Sequence, residues 1–139
     1  MRCWLPLKVI NVRLLLDTCT FLWIISDDPK LSSKARKLFE QAENEVFLSS
    51  ISLWEISVKY QLGKLPLPES PRQYIPKQRE KHGIETLALG ESDISHLLTL
   101  PEVHKDPFDR MLVCQAIEGN MTLLTPDPLI QDYPVKTEW

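Results

Sequence analysis

The sequence lacks an apolar run long enough to cross a membrane. The apolar runs at residues 14–16 and 21–25 stop at polar residues, whereas a membrane-spanning helix needs roughly 18 or more apolar residues. Near the start of the chain, Lys8, Asn11 and Arg13 interrupt any apolar stretch of the kind found in a secretion signal. We therefore expect a soluble protein that stays in the cytoplasm.

Cysteine is scarce as well. The three cysteines are an odd number and form no C-x-x-C pair, which argues against a disulfide framework and against a zinc ribbon. The three histidines form no H-E-x-x-H motif, so a zinc-hydrolase site has no visible ligand set. A reducing compartment fits this composition.

Positive charge is not in excess. Lys and Arg number 16 against 19 Asp and Glu, which gives a formal net charge of -3. A domain that holds nucleic acid on a broad basic surface would need the opposite balance, because neutralisation of phosphates dominates such binding. A nuclease with an acidic, cation-binding pocket remains compatible with this charge.

Strand-like and helix-like segments alternate through the 139 residues without an internal repeat. Short runs typical of strands lie at residues 12–16, 45–48, 84–89, 121–124 and 135–137. Segments with apolar residues at helical spacing lie at residues 18–25, 32–42, 50–63, 91–98 and 107–118. This order predicts a single α/β domain with a central parallel sheet of four to five strands and helices on both faces.

A further predicted helix ends near Gly83 and contains a proline. Pro76 in a helix interior would cost ~3 kcal/mol, because it lacks an N–H and crowds the preceding turn. We expect either that this helix begins at Ile75 and Pro76 or that it is kinked there. The proline-rich stretch before it, residues 65–71, is short enough to be a loop within one domain.

Two aspartates follow predicted strands closely. Asp17 comes directly after the first strand and Asp127 comes three residues after Leu124, and ligands of open parallel sheets bind at this carboxyl edge. Each aspartate also fits a cap on the helix that follows, Asp127 above all, because Pro128 is a favoured first helical residue. Taken singly, each is as consistent with a cap as with a ligand.

Glu55 falls inside the apolar stripe of its predicted helix, about 40° from Ile51 at ~100° per residue. A capping box would also explain this carboxylate, since residues 52–55 read S-x-x-E. The helix would then have to begin at Ser52 and leave out the serine pair before it. We favour a functional role for Glu55.

The densest group of reactive side chains is the motif H-K-D-P-F-D-R at residues 104–110. Pro107 makes Asp106 a natural N-cap, and Asp109 then falls in the first turn, where a carboxylate suits the helix dipole. The two aspartates also project on adjacent faces of one helix end, as a divalent-cation site requires. Separated acids of this kind favour Mg²⁺ or Mn²⁺, which prefer carboxylate and water oxygens and serve phosphoryl chemistry.

Four short motifs stand in order along the chain: L-L-L-D-T at residues 14–18, S-L-W-E-I at 52–56, H-x-D-P-F-D-R at 104–110 and L-T-x-D at 124–127. Each motif alone is weak. Together, at these separations, they resemble the PIN-domain ribonucleases, and among these the VapC toxins of type II toxin–antitoxin systems. The resemblance extends over residues 13–139.

This resemblance implies a PIN-like three-layer fold and a metal-dependent endoribonuclease, with Mg²⁺ or Mn²⁺ as cofactor, that is dimeric and held inactive by a small antitoxin. The residues that match the family's acidic quartet are Asp17, Glu55, Asp109 and Asp127, with Asp106 as an accessory metal ligand. Thr18 and Thr125 would orient these acids or the waters of the metal. The apolar helix at residues 21–25 would meet an antitoxin or a second subunit on its outer face.

Two features depart from the family pattern. Cys19 stands where relatives often have histidine. Residues 1–12 match nothing, and we expect a disordered extension or a misassigned start codon there, followed by a single PIN-like domain at residues 13–139.

Several residues have an ordinary explanation beside a functional one. Lys59 and Arg110 could contact RNA phosphates, but each is more readily explained as a solvated or ion-paired cation. His104 could contact phosphate or move a proton, although a loop histidine bonded to backbone is the simpler expectation. Trp54 and Phe108 are flanked by helical apolar positions, so we expect both rings in the core rather than stacked on bases.

Two other functions compete with the ribonuclease. A phosphatase that forms an aspartyl-phosphate needs a second Asp two residues after the first, and position 19 is Cys. A non-catalytic PIN-like module that binds RNA or protein would lack one or more of the acids, and here all four are present.

Overall fold

The computed structural model describes residues 11–139, so most of the predicted N-terminal extension lies outside the described residues. Its strands are β1 (Arg13–Leu16), β2 (Glu45–Ser49), β3 (Glu85–Leu87), β4 (Thr122–Leu124) and β5 (Lys136–Glu138). Its helices are α1 (Thr18–Ser26), α2 (Ser33–Glu40), α3 (Ser50–Gln61), α4 (Pro71–His82), α5 (Glu91–Ser95), α6 (Pro107–Gly119) and α7 (Pro128–Gln131). A 3-10 turn, His96–Leu98, directly follows α5, so the helix predicted at residues 91–98 is a short α-helix that ends in a 3-10 turn. Within residues 11–139, no helix has the length and apolarity that a membrane crossing requires.

The strands form one parallel sheet in the order β3-β2-β1-β4-β5. In this sheet Leu15 of the central strand β1 pairs with Phe47 of β2 and with Leu123 of β4. All three leucines of β1 are fully buried, because a central parallel strand is covered on both faces. The predicted parallel sheet is confirmed, with five strands in the part of the chain described.

Successive strand residues point to opposite faces of the sheet, which divides the core in two. Leu14 and Leu16 pack on one face with the helix residues Phe21, Ile24, Ala35, Ile56 and Ile75. Leu15 packs on the other face with Leu112, Val113 and Ile130. Helices therefore cover both faces, and the architecture has the expected three layers.

Helix α4 begins earlier than the sequence predicts. Ser70 is its N-cap and Pro71 occupies its first turn, where a missing N–H loses no helical partner. Pro76 lies inside the helix and leaves one backbone carbonyl without its usual donor. Of the two predicted alternatives, the helix start at Ile75 is wrong, because α4 already begins at Pro71, and Ile75 is fully buried within the helix.

The strand order places a crevice at one edge of the sheet. The chain adds β2 and β3 on one side of β1, and then β4 and β5 on the other side. In open α/β sheets, ligands bind at the carboxyl edge where the strand order reverses in this way. The segments that leave this edge begin at Asp17 after β1, at Ser50 after β2 and at Thr125 after β4.

Candidate active site

A pocket of about 470 Å³ opens at this carboxyl edge. The carboxylates that line it are Asp17, Glu55, Asp106, Asp109 and Asp127. The cationic side chains among the lining residues are Lys59 and Lys64. The structure thus brings the predicted quartet and the predicted accessory acid together from four separate segments, and like charges at such a site favour a bound cation or bound protons.

Asp17 is the most deeply placed of the aspartates, with 5% of its surface exposed. It is the N-cap of α1, and its Oδ1 accepts a hydrogen bond from the backbone N–H of Thr20 at 2.7 Å. Its Oδ2 accepts from the hydroxyl of Thr125. Asp17 is therefore both a cap and a pocket carboxylate, so its two explanations do not exclude one another.

Glu55 does not form a capping box. Helix α3 begins at Ser50 and is capped by Ser49, so Glu55 lies in the second turn. Its Oε1 accepts from the hydroxyl of Thr18 at 2.7 Å, and its Oε2 pairs with Nζ of Lys59 at 2.7 Å. The side chain is thus held from α1 and from its own helix, with only 7% of the residue exposed.

The first turn of α6 supplies two more carboxylates. Asp106 is the predicted N-cap, and its Oδ1 accepts from the backbone N–H groups of Phe108 at 2.9 Å and Asp109 at 3.3 Å. The side chain of Asp109 makes no such cap and faces the pocket. Of the two aspartates in this turn, Asp109, which caps nothing, is the one that matches the acidic quartet of the family pattern.

His104 faces these acids. Its Nε2 lies 3.0 Å from Oδ2 of Asp109 and 3.6 Å from Oδ2 of Asp127. The expectation that its ring is bonded to backbone is therefore wrong, because the loop turns the ring inward. The backbone of His104 is held instead by Tyr133, whose hydroxyl accepts from the His104 N–H at 2.8 Å.

The two predicted cationic RNA contacts have structural partners. Lys59 is ion-paired with Glu55, as its ordinary explanation predicts. The guanidinium of Arg110 donates to the Pro101 carbonyl at 3.1 Å and to the Tyr133 hydroxyl at 3.2 Å. Arg110 is not among the residues that line the acidic pocket and supports the loop that carries His104, and its RNA contact stays a prediction.

Thr125 links the ends of β1 and β4. Its hydroxyl donates to Asp17 and accepts from the backbone N–H of Asp127 at 3.1 Å. Asp127 caps α7 by accepting from the Leu129 N–H at 2.9 Å through Oδ1, which leaves Oδ2 on the side of His104. One threonine therefore sets the relative position of two quartet members.

The surroundings oppose ionisation of Asp17 and of Asp109. Burial raises the pKa of Asp17, and its hydrogen bonds to Thr125 and Thr20 only partly offset this effect. Burial, followed by the negative charges of Asp106 and Glu55, raises the pKa of Asp109 to about 6. Both shifts have the direction expected for carboxylates withdrawn from water beside other carboxylates.

The donor set fits a hard divalent cation. One ligand atom from each of His104, Asp106 and Asp109 lies within 4.8 Å of the other two, and Asp17, Glu55 and Asp127 line the same pocket. Carboxylate oxygens are the protein ligands that Mg²⁺ and Mn²⁺ prefer. A bound cation would also relieve the repulsion that raises the pKa of Asp109.

Two features of this part of the chain escape the sequence-based reasoning, and one of them lines the pocket. Trp54 is 59% exposed and stacks edge to face on the half-buried ring of Phe108, so the expectation of a core position is wrong for Trp54. The helical phase of α3 carries the signal, because Trp54 lies about 100° from Glu55 and away from the buried stripe. Lys64, in the loop after α3, is a pocket residue that no motif marks.

Cys19, the departure from the family pattern, is exposed and lines the pocket. Partial withdrawal of its sulfur from water and the negative charges of Asp17, Glu55 and Asp109 raise its pKa to about 11. The side chain is therefore a neutral thiol at physiological pH and adds no charge to the pocket.

Comparison with known proteins gives a family. The family model of the PIN domain matches residues 14–136. Ribonuclease VapC16 of Mycobacterium tuberculosis is 33% identical over 72 residues, which cover 49% of this chain and 51% of that protein. The match thus spans about half the length of this curated relative.

Solved structures share the fold. VapBC2 from Rickettsia felis, bound to a DNA fragment from its promoter, matches with a TM-score of 0.70 and 19% identity over 91% of this chain and 98% of that one. VapBC-1 from nontypeable Haemophilus influenzae matches with a TM-score of 0.60 and 18% identity over 91% and 97% of the two chains. Because the family match extends over nearly all of the residues described, the chain belongs to the PIN domain family.

Proposed function

We propose that the chain is a Mg²⁺- or Mn²⁺-dependent endoribonuclease, the toxin of a type II toxin–antitoxin pair, which hydrolyses RNA phosphodiester bonds in the cytoplasm. The observation that carries the proposal is the presence of Asp17, Glu55, Asp109 and Asp127 in one pocket. The likeness to Ribonuclease VapC16 supports RNA as the substrate. The alternative, a non-catalytic PIN-like module, has less support because all four acids are retained.

The carboxylates that line the pocket, those of Asp17, Glu55, Asp106, Asp109 and Asp127, would hold the cation. When bound, the ion supplies activation of water and neutralisation of charge on the phosphate. The protein's own contribution is to fix these ligands in place before substrate arrives, since a preorganised site has less to reorder during reaction.

Two threonines carry out most of this positioning. Thr125 holds Oδ2 of Asp17 while the Thr20 N–H holds Oδ1, so the carboxylate is held at both oxygens. Thr18 holds Glu55 from the opposite helix. These are the orienting roles that the family pattern assigns to Thr18 and Thr125.

The ring of His104 faces Asp109 and Asp127. With Nε2 protonated, its ring donates to Asp109 at 3.0 Å. The carbonyl of the same residue accepts from Tyr133 and Arg110, so the loop holds the ring against the pocket. We assign His104 to holding a proton beside Asp109 and Asp127.

Cleavage of RNA by the purified protein tests the proposal. We expect single-stranded or structured RNA to be cut in Mg²⁺ or Mn²⁺, cutting to stop in EDTA, and DNA of the same sequence to remain largely intact. The variant D17N, purified in parallel, reports any contaminating nuclease. Equal cutting by D17N and the parent, or cutting unaffected by EDTA, would overturn the proposed mechanism.

The likeness to VapBC structures supports a small antitoxin as partner, and we propose that the toxin is a homodimer. Leu22 and Trp23 of α1 border the acidic pocket, so an apolar segment along α1 could place a basic side chain near Asp17 and Asp109, where a guanidinium matches paired carboxylates. We expect the chain to arrest growth when expressed alone, and co-expression of its antitoxin to relieve the arrest. Growth arrest by the D17N variant would contradict the toxin proposal. Light scattering of the purified protein measures its molar mass and so tests the proposed homodimer.

A further inference from the structure

The hydroxyl of Ser52, the serine of the S-x-x-E motif in α3, bonds to a neighbouring helix. Ser52 is fully buried, and its Oγ lies 3.0 Å from Oγ1 of Thr18 in α1. Ser57, further along α3, donates instead to the Leu53 carbonyl at 2.8 Å, which is the ordinary bond of a serine inside a helix. The bond of Ser52 therefore joins two helices that leave the carboxyl edge of the sheet.

The single hydrogen of the Thr18 hydroxyl decides the direction of these bonds. Oγ1 of Thr18 lies 2.7 Å from Oε1 of Glu55 and 3.0 Å from Oγ of Ser52, and it can donate to only one of them. The other oxygen of Glu55 is ion-paired with Lys59, as a charged carboxylate would be, and a charged carboxylate only accepts. Thr18 therefore donates to Glu55, and Ser52 donates to Thr18.

The spacing of the S-x-x-E motif explains how one helix holds Thr18 at two points. Ser52 and Glu55 are three residues apart and so lie on the same face of α3, where Thr18 contacts both. Thr18 is the first residue of α1 and directly follows Asp17. The two bonds thus fix the first turn of α1 against α3, and with it the position of Asp17 relative to Glu55.

Packing alone does not require a hydroxyl at position 52. Ile51 and Ile56, also buried residues of α3, fill the core without polar atoms. A buried hydroxyl costs free energy unless it is bonded, and a bonded one contributes little net stability. The hydroxyl of Ser52 is therefore better explained by the contact that it makes than by the space that it fills.

We propose that Ser52 is a positioning residue of the acidic pocket, which acts through Thr18 to hold the Glu55 carboxylate in place for the cation. The inference rests on the proposed function, in which the pocket binds a divalent cation. Without the Ser52 hydroxyl, the hydroxyl of Thr18 loses its donor and is freer to rotate away from Glu55. Glu55 then depends more on Lys59, whose side chain is half exposed. Partners outside the ligands tune metal affinity in this way.

A double-mutant cycle on Mn²⁺ binding tests this role. The metal-free full-length protein is titrated with Mn²⁺, and the free ion is counted by electron paramagnetic resonance for the parent, S52A, T18V and the double variant. We expect S52A to weaken binding about fivefold and T18V about tenfold or more, since losing an outer partner of a ligand costs about 10–100-fold. Because Ser52 acts through Thr18, the double variant should bind Mn²⁺ within about twofold of T18V.

The variant S57A is the matched control, because Ser57 lies in the same helix and bonds the Leu53 carbonyl. It should bind Mn²⁺ as the parent does. Urea unfolding of each variant in EDTA verifies the fold. Initial rates of RNA cleavage give a second measurement, in which S52A should need about fivefold more Mn²⁺ for half-maximal rate and recover most of the parent's rate at saturating Mn²⁺.

Three results would overturn the role of Ser52. S52A could bind Mn²⁺ as tightly as the parent, or it could weaken binding by the same factor with and without T18V, which would show that it does not act through Thr18. S57A could also weaken binding as much as S52A, which would indicate a general effect on α3. A parent that binds Mn²⁺ but cuts no RNA would refute the proposed function, and the binding cycle would still decide the role of Ser52. A parent that binds no Mn²⁺ would overturn both.

Discussion

The two edges of the sheet arrange charge in opposite ways. At the amino edge, Arg13 of β1 faces Glu45 of β2 at 3.8 Å, with both side chains about half exposed. At the carboxyl edge of the same two strands, Asp17 and Glu55 are withdrawn from water and stand among further acids. Opposite charges meet in solvent at the amino edge, whereas at the carboxyl edge the acids outnumber the cations of the pocket and the deepest acids are withdrawn from solvent.

Only the first arrangement is what folding alone would produce. Exposed pairs of opposite charge are common on protein surfaces and contribute little to stability, whereas buried like charges oppose folding. A protein retains such an unfavourable cluster where its chemistry requires it. An acidic cluster at the carboxyl edge is therefore what the proposed function would require, at the expense of stability.

The largest expected effect is the difference in RNA cleavage rate between two variants, each of which neutralises one acid at one edge of the sheet. We expect D17N to lower the rate of RNA cleavage by more than roughly 100-fold, because loss of even an outer partner of a metal ligand costs about 10–100-fold. The matched variant E45Q also removes one negative charge, from the amino edge, and should cleave at the parent's rate. Gel-based initial rates in Mg²⁺ measure both, and similar losses in the two variants would remove the distinction between the edges.

Removing the charge of an acid should lower activity but raise the stability of the metal-free protein, and Asp109 is the residue at which we expect this gain in stability. Its pKa is raised to about 6 from an ordinary 3.8, so the folded state holds a proton that the unfolded state releases between these values. The contribution of Asp109 is thus favourable below about pH 4 and is lost as the pH rises through 6. In EDTA at pH 7.5, D109N should be more stable than the parent by on the order of 2 kcal/mol.

Urea unfolding at pH 7.5 and at pH 4 measures this difference, which should disappear at the lower pH. Added Mg²⁺ should stabilise the parent more than D109N, because the ion binds only the folded state and needs the carboxylate. A variant that is less stable than the parent in EDTA at pH 7.5 would show that Asp109 is stabilised rather than strained.

Thr125 should have a smaller effect than the acids, because it acts through Asp17 and Asp127. T125V removes the hydroxyl that bonds both residues and should lower cleavage about tenfold while raising the Mg²⁺ concentration needed for half-maximal rate. T125S keeps the hydroxyl and should restore most of the activity. If T125S is as defective as T125V, the effect comes from packing at the end of β4 rather than from orientation of the acids.

Most of the fold and the acidic residues could be predicted from the sequence, because both depend on local patterns. The buried leucines of β1 and the caps at Asp106 and Asp127 follow from neighbours within a few residues. The strand order could not be derived from the residues themselves, since nothing local states which strands pair. The resemblance to a known family implied the three-layer fold, whereas the strand order is known only from the structure.

The errors concern side-chain direction and burial. The ring of His104 turns toward Asp109 because Arg110 and Tyr133 hold its loop, and these contacts join residues from three segments. The apolar neighbours of Trp54 predict a core position, although the side chain is exposed on α3. The proline rule allows a helix start at Ile75, whereas α4 runs through Pro76 and buries Ile75. Each error arose where a tertiary contact decides what the local sequence leaves open.

The smallest effect is expected at the amino edge, in the stability of the E45Q variant. Its pair with Arg13 is exposed, and such pairs contribute roughly 0–1 kcal/mol. Arg13 keeps its hydrogen bond to the Gly119 carbonyl at 2.6 Å and its position over the ring of Phe47. We therefore expect urea unfolding of E45Q to differ from that of the parent by less than about 0.5 kcal/mol, and the difference to shrink as salt is added. A loss above about 1 kcal/mol that persists in high salt would mean that charge at the amino edge also bears on the fold, and the two edges would then differ in degree rather than in kind.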